Sequence, residues 1–239
     1  MKEFITADNI HSPDVTAIFT TRNSGDNGIV ASSQGFHAED IIGLRQMHTD
    51  KIITVDKTLA SDRPINFPDE EGDALVTDIK GILISVRTAD CVPILLYDRT
   101  NGAVGAVHAG WRGTFAQIGT KTVSRMAELY GTVPVDVKAA IGPAIGICCY
   151  EVDFDFYEKF RKEYGVSMEK FFTLSPENKP RCDLKAINAA FLIEAGIPAN
   201  NIVVSEFCTM CNPELFHSYR RSGDNSGRMT AFIGMKPTS

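Results

Sequence analysis

Ser85-Val86-Arg87-Thr88-Ala89-Asp90-Cys91-Val92-Pro93-Ile94-Leu95-Leu96-Tyr97-Asp98, then Arg99-Thr100-Asn101-Gly102, then Ala103-Val104-Gly105-Ala106-Val107-His108-Ala109-Gly110-Trp111-Arg112-Gly113, is the stretch on which the fold turns. Two apolar, β-prone runs flank a turn ending in Asn-Gly, a strong short-range signal for a β-hairpin. A three-residue loop would set Asp98 opposite Gly102 and Val92 opposite His108. Cys91 then stands beside the imidazole at the mouth of the hairpin. Other loop lengths shift the pairing by a residue without separating the two. A soft thiolate and an imidazole on rigid strands suit metal binding or a nucleophile–base pair.

Outward from the hairpin, strands are expected at residues 15–20, 51–55, 74–77, 82–86, 135–141, 202–205 and 229–233. Residues 23–35, rich in Ser, Gly and Asn, read as loop, and residues 61–72 as a polar surface excursion with two prolines. Phe115, Ile118, Thr122, Met126 and Leu129 keep near-helical spacing, so residues 114–130 read as a helix, with Thr114 to Gln117 as a capping box and Gly131 as the stop. Two more helices are expected at 153–164 and 184–195, each followed by a glycine. Strands and helices mix without βαβ alternation, which gives an α+β class with mixed β-sheets in a single domain, 1–239.

Composition narrows the function classes. The 239 residues are 44% hydrophobic and 23% charged, with a net charge of −6. No long basic run is present, so nucleic acid and membrane surfaces are poor partners. The first ten residues lack an apolar core of the signal-peptide kind, and no apolar run approaches the ~20 residues of a membrane span. The expectation is a cytoplasmic protein whose six cysteines stay reduced.

After His108 the chain passes through Ala109-Gly110-Trp111-Arg112-Gly113 into the expected helix. Small residues allow close backbone approach, and free amides with Arg112 suit an anion such as phosphate. The competing reading is a simple strand-to-helix turn. A metal site needs a further ligand, and His48, just before an apolar strand, is also at a strand end. Three N/S ligands with an open fourth position would make a catalytic rather than a structural zinc site. Cys208-Thr209-Met210-Cys211 is a lone CxxC with no partner pair at convincing spacing, and reads as structural or incidental. Arg220, Arg221 and Arg228 belong either to a solvated face or to a pocket closing over an anionic group.

These motifs together resemble the multicopper polyphenol oxidase (laccase-domain) family, also called the purine nucleoside phosphorylase or peptidoglycan-editing-factor family. The resemblance rests on Arg-Gln-Met-His48, Asp73-Ala-Leu-Val-Thr77, Thr88-Ala-Asp-Cys91-Val-Pro, His108-Ala-Gly-Trp-Arg-Gly113, Ile141-Gly-Pro-Ala-Ile-Gly146 with Cys148-Cys149-Tyr150-Glu151-Val152, Phe207-Cys208-Thr209, and Phe216-His217-Ser218-Tyr219-Arg220-Arg221 with Gly227-Arg228. It spans roughly residues 40 to 235, in the family's order. It implies a four-layer α/β/β/α sandwich. It also implies zinc held by His48, Cys91 and His108, phosphorolysis of adenosine, inosine and methylthioadenosine, and adenosine deamination. The purine nucleoside and phosphate would meet Asp73, Arg112, Arg220, Arg221 and Arg228. The first 40 residues depart from the pattern: the family's Asn…His-x-Gly-Asp stretch is missing.

Two alternatives accompany that expectation. One is a metal-free amidase editing peptidoglycan precursors, with Cys91 attacking and His108 activating it. The other is a copper polyphenol oxidase, for which one three-ligand cluster and five histidines are too few. For proton transfer the sequence offers only Asp73 and Asp90, by proximity of motif.

Overall fold

Ile94 and Leu95 are neighbours on one strand, yet they serve different cores. Strand alternation sends Ile94 and Leu96 toward a helical layer and Leu95 toward a second sheet. Repeated across the sheets, this alternation builds the whole architecture. The structure is a computed structural model that describes residues 3–61 and 70–237.

In chain order the strands are β1 (Phe4–Thr6), β2 (Val15–Thr20), β3 (Ile41–Ile42), β4 (Ile52–Thr54), β5 (Ala74–Thr77), β6 (Leu83–Thr88) and β7 (Val92–Asp98). There follow β8 (Ala103–Ala109), β9 (Val137–Ile141), β10 (Phe172–Leu174), β11 (Pro180–Cys182), β12 (Ile202–Val204) and β13 (Met229–Met235). The α-helices are α1 (Asn27–Ser33), α2 (Lys57–Ser61), α3 (Trp111–Phe115), α4 (Ile118–Tyr130), α5 (Phe154–Tyr164), α6 (Leu184–Glu194) and α7 (Tyr219–Ser222). While β10 and β11 form a separate two-stranded sheet, of the two large sheets one has the order β1-β2-β13-β6-β3 and the other β12-β9-β7-β8-β5-β4. Each is antiparallel at its centre, with parallel pairs at β3–β6, β4–β5 and β9–β12.

Three cores separate four layers. Ile18, Leu83 and Phe232 pack on Val30 and Ala31 of α1. Phe19, Ile84 and Ile233 on the opposite sheet face meet Leu95, Val104 and Ala106 of the second sheet. Ile94, Leu96 and Val107 then meet Ile118 and Met126 of α4 and Ile187 and Leu192 of α6. The order α/β/β/α and the mixed sheets are those expected. Leu95 is fully buried between sheets, where truncation to alanine costs about 2–5 kcal/mol.

Several local expectations need correction. The hairpin pairs Asp98 with Ala103 and Pro93 with His108, one residue from the expected register. The loop holds four residues because the Asp98 carboxylate accepts from the Thr100 and Asn101 amides and the Asn101 side chain. The expected long helix is two pieces. Gln117, at φ 57°, breaks α3 from α4, and Thr114 lies inside α3 rather than capping it. Thr114 is instead buried, accepting from Asn188 of α6. Residues 27–33 form a helix where loop was expected, because Asp26 caps it and Val30 and Ala31 bury. Most of the polar excursion at 61–72 lies outside the described residues.

Candidate metal centre and its pocket

Asp73 organises the site. It immediately precedes β5, and its fully buried carboxylate accepts from the backbone amides of Met47, His48 and Thr49 and from the Thr49 hydroxyl. Its Oδ1 also meets His108 Nδ1 at 2.8 Å. One carboxylate therefore fixes the loop carrying His48 and the ring orientation of His108. The grip holds His48 at φ 59°, a left-handed conformation few non-glycine residues adopt. Cys91 enters from the other side of the hairpin, with Sγ 3.9 Å from His48 Nε2. The two imidazoles meet edge to face, centroids 4.9 Å apart. Ligand atoms of His48, Cys91 and His108 all lie within 4.8 Å of one another.

Gly110 makes the convergence possible. A Cβ there would fall 2.9 Å from His48 Cδ2 and 3.2 Å from Cys91 Sγ. The Ala-Gly after His108 thus does what the sequence suggested, though the close approach is to the cluster itself.

Electrostatics follow the geometry. Burial would raise the Cys91 thiol, but hydrogen bonds and charge from His108 and His48 lower it to about 6. Burial would lower His108, but Asp73 and Cys91 raise it to about 9. Asp73 is desolvated, yet His108 and Thr49 hold it at about 2. Without metal, these shifts favour the charged forms side by side: thiolate, imidazolium and carboxylate.

Once the His108 proton is displaced, the three donors suit a borderline divalent metal ion such as zinc. The Asp73 contact occupies His108 Nδ1 and leaves Nε2 toward Cys91, the carboxylate–histidine–metal arrangement that orients ligands in zinc sites. Two imidazoles and a thiolate supply three donors, and the remaining direction faces a cavity.

The cavity has a volume of about 740 Å³. Besides the cluster, it is lined by Arg45, Arg87, Arg112, Arg220 and Arg228 and by Trp111, Ile145, Tyr150 and Tyr219. Arg112 lies over the Trp111 ring at 4.4 Å and Arg220 over Tyr150 at 5.3 Å. Arg45 pairs with Glu71. Of the residues singled out in the sequence, Cys91, His48, His108, Arg112, Arg220 and Arg228 come together here. Asp73 lies beneath them, behind His108. Arg221 does not line the cavity: its guanidinium donates to the carbonyls of Thr209, Met210 and Phe216.

Asp90 was named from motif proximity alone, and its role is now visible. At φ 86°, its carboxylate accepts from Thr209 Oγ1, Ser218 Oγ and the Arg220 amide. It braces Cys91 against the segment bearing Arg220. The Gln46 side chain similarly bonds both the amide and the carbonyl of Arg87. Arg45, Arg87, Trp111 and Tyr150 carried no chemical signal of their own. Only their place inside recognisable motifs could have flagged them.

Fold and donor set define a class: a four-layer α/β/β/α protein with a three-donor cluster at the floor of an arginine-rimmed cavity. The chain belongs to the multi-copper polyphenol oxidoreductase laccase family, which it matches over residues 16–236. It is 38% identical over 205 residues to adenosine deaminase RL5 of an unknown prokaryotic organism, covering 83% of this chain and 76% of that protein. It is 32% identical over 226 residues to purine nucleoside phosphorylase CA_C1699 of Clostridium acetobutylicum, covering 90% and 89%. The match to purine nucleoside phosphorylase YlmD of Bacillus subtilis, 38% over 164 residues, covers 69% of this chain and 59% of that protein. The crystal structure of YfiH, a hypothetical protein of Bacillus licheniformis, superposes with a TM-score of 0.87 at 32% identity, over 99% of this chain and 100% of the other. No helix among the described residues is long and apolar enough to cross a membrane.

Proposed function

We propose that this chain is a zinc-dependent purine nucleoside enzyme that cleaves adenosine, inosine or methylthioadenosine with phosphate and also deaminates adenosine. The carrying observation is the convergence of His48, Cys91 and His108 at the floor of a cavity rimmed by arginines. The relatives' names supply the substrate class. The volume of about 740 Å³ is ample for a nucleoside with phosphate. On this reading residues 1–239 are one catalytic domain of the family, working in the cytoplasm.

When bound, zinc supplies a Lewis acid that polarises an oxygen at the floor of the cavity. The rest of the work falls to side chains. Arg87 and Arg112, which have no carboxylate partner among the described residues, hold phosphate, with Arg220 and Arg228 closing over it. The faces of Trp111 and Tyr150 offer stacking surfaces for a purine. Burial pushes the Tyr150 hydroxyl far up, so it stays a proton donor. Asp73 holds His108 in one tautomer. Asp90 positions Cys91 and Arg220 and is too fully engaged to serve as a base.

A product screen tests this. Zinc-replete protein is incubated with nucleosides, with and without phosphate, and products are separated by chromatography. Phosphate-dependent release of adenine or hypoxanthine, with inosine from adenosine in its absence, is expected. No conversion of any purine nucleoside would overturn the reading.

One observation favours a second reading. The Cys91 thiol lowered to about 6, with His108 and Asp73 behind it, has the order of a nucleophile, base and orienter. A cell-wall amidase of that kind would keep hydrolysing amides after exhaustive chelation, whereas the zinc enzyme would lose turnover. Copper could sit on two histidines and a cysteine. A multicopper oxidase, however, needs more imidazoles than five histidines provide, three of them outside the cavity lining.

A further inference from the structure

The lone CxxC is not alone in space. Sγ atoms of Cys148, Cys149, Cys208 and Cys211 all lie within 4.8 Å of one another. Cys211 Sγ is 3.6 Å from Cys148 Sγ and 3.3 Å from Cys149 Sγ. Four sulfurs at the corners of a zinc tetrahedron are about 3.8 Å apart, given a Zn–S bond of about 2.3 Å. A disulfide would instead draw two sulfurs to about 2.05 Å and leave the other pair without a purpose. The sequence hid this set because the pairs are some sixty residues apart and one is a vicinal Cys-Cys.

The backbone around the sulfurs is built for them. Loop 142–153 and loop 205–218 join through a parallel bridge between Ala144 and Cys208. The Thr209 amide donates to the Ala144 carbonyl. The Gly146 amide donates to Cys208 Sγ at 3.2 Å, a contact that stabilises thiolate sulfur. Gly146 also lets the sulfurs come close: a Cβ there would lie 3.2 Å from both Cys148 Sγ and Cys208 Cβ, a tight approach. Two cations pin the Cys208 loop: Lys185 donates to the carbonyls of Ser205 and Phe207, and Arg221 to those of Thr209 and Met210. Their charge offsets the net negative charge of four thiolates around a divalent ion.

We propose that Cys148, Cys149, Cys208 and Cys211 form a second metal site, a closed tetrathiolate site for zinc that clamps loop 142–153 to loop 205–218. Four protein sulfurs leave no open position, so the role is structural. Binding displaces the remaining thiol protons to solvent and changes no oxidation state. The clamped loops matter because the first carries Ile145 and Tyr150 of the cavity wall and the second leads into Arg220. The inference does not depend on the reaction assigned to the cavity.

The test uses untagged Cys91→Ala protein, which silences the other cluster, kept reduced and titrated with cobalt(II) alone. Close to one equivalent should bind, with the intense visible bands and near-ultraviolet thiolate charge transfer of tetrahedral sulfur coordination. Adding Cys148→Ser and Cys211→Ser should abolish both. Cobalt binding to Cys91→Ala without those bands, or bands that survive the added serines, would overturn the proposal. Should the serine variant not fold, alkylation mapped by mass spectrometry decides. Metal-loaded Cys91→Ala should shield all four cysteines while the stripped protein does not, and equal labelling in the two forms would overturn the site.

Discussion

The molecule carries two clusters of soft donors, and they differ in what stands behind and in front of them. His48, Cys91 and His108 have a buried carboxylate behind, Asp73, and a cavity of about 740 Å³ in front. Cys148, Cys149, Cys208 and Cys211 have the Gly146 amide behind Cys208, lie outside the lining of that cavity, and two of the four are exposed. Three donors with an open side are arranged for chemistry; four donors facing only each other are arranged to hold loops together. The contrast is written in strand ends against loops. The first cluster is fixed by β5, β7 and β8 in the sheet, and the second spans two loops joined by one short parallel bridge, which a metal would reinforce.

The contrast breaks most visibly at the first cluster. His48→Ala, Cys91→Ala and His108→Ala are each expected to reduce nucleoside turnover to background while circular dichroism stays native, because apolar strands hold the hairpin. Near-wild-type rates in any one would remove that residue from the ligand set. Asp73→Asn keeps the shape but weakens the grip on His108. Metal affinity or activity should fall by about 10–100-fold, the usual cost of losing a group that orients a ligand. Equilibrium zinc competition with a chromogenic chelator reads it.

Arg112→Ala sharpens the contrast within the cavity. Loss of a charge-assisted contact costs roughly 1.5–3 kcal/mol, about ten- to a hundredfold. The loss should fall on phosphorolysis more than on deamination, which needs no phosphate. Equal losses would place the phosphate site elsewhere on the rim. Serine substitution of Cys148 and Cys211 together should leave the cavity chemistry measurable but lower the melting temperature, and chelation should add little further loss from that cluster. A variant as stable as the parent would show that no metal clamps these loops.

In metal-free protein the pH dependence has a definite sign. The Cys91 thiol is lowered to about 6 by His108 and His48, so its alkylation rate should fall by half near that pH. His108→Ala should move the midpoint up toward the ordinary cysteine value of about 8.5. Because the folded value lies below the unfolded one, the thiolate's contribution to stability is complete above the ordinary thiol range and is lost as pH falls through about 6. His108, raised to about 9, behaves oppositely: its contribution is present below the ordinary imidazole range and is lost as pH rises through about 9.

Much of this was legible in the chain because it was local. Alternating apolar residues marked β5, β7 and β8, and a turn ending in Asn-Gly marked the hairpin. Strand ends before apolar runs marked His48 and Cys91. The hairpin register was off by one because Asp98 folds back onto its own turn, a side-chain contact that no periodicity encodes. The break at Gln117 and the burial of Thr114 were hidden because Asn188, seventy-four residues away, claims the Thr114 hydroxyl. Asp90, Gly110 and the four cysteines show the same limit. Each has its meaning in a partner distant in sequence.

The most direct measurement is a crystal structure of untagged, zinc-loaded protein with anomalous data collected on either side of the zinc edge. The account predicts one anomalous peak within bonding distance of His48 Nε2, Cys91 Sγ and His108 Nε2, open toward the cavity, and a second enclosed by the four cysteine sulfurs. Well-ordered side chains of His48, Cys91 and His108 with no peak between them would contradict it.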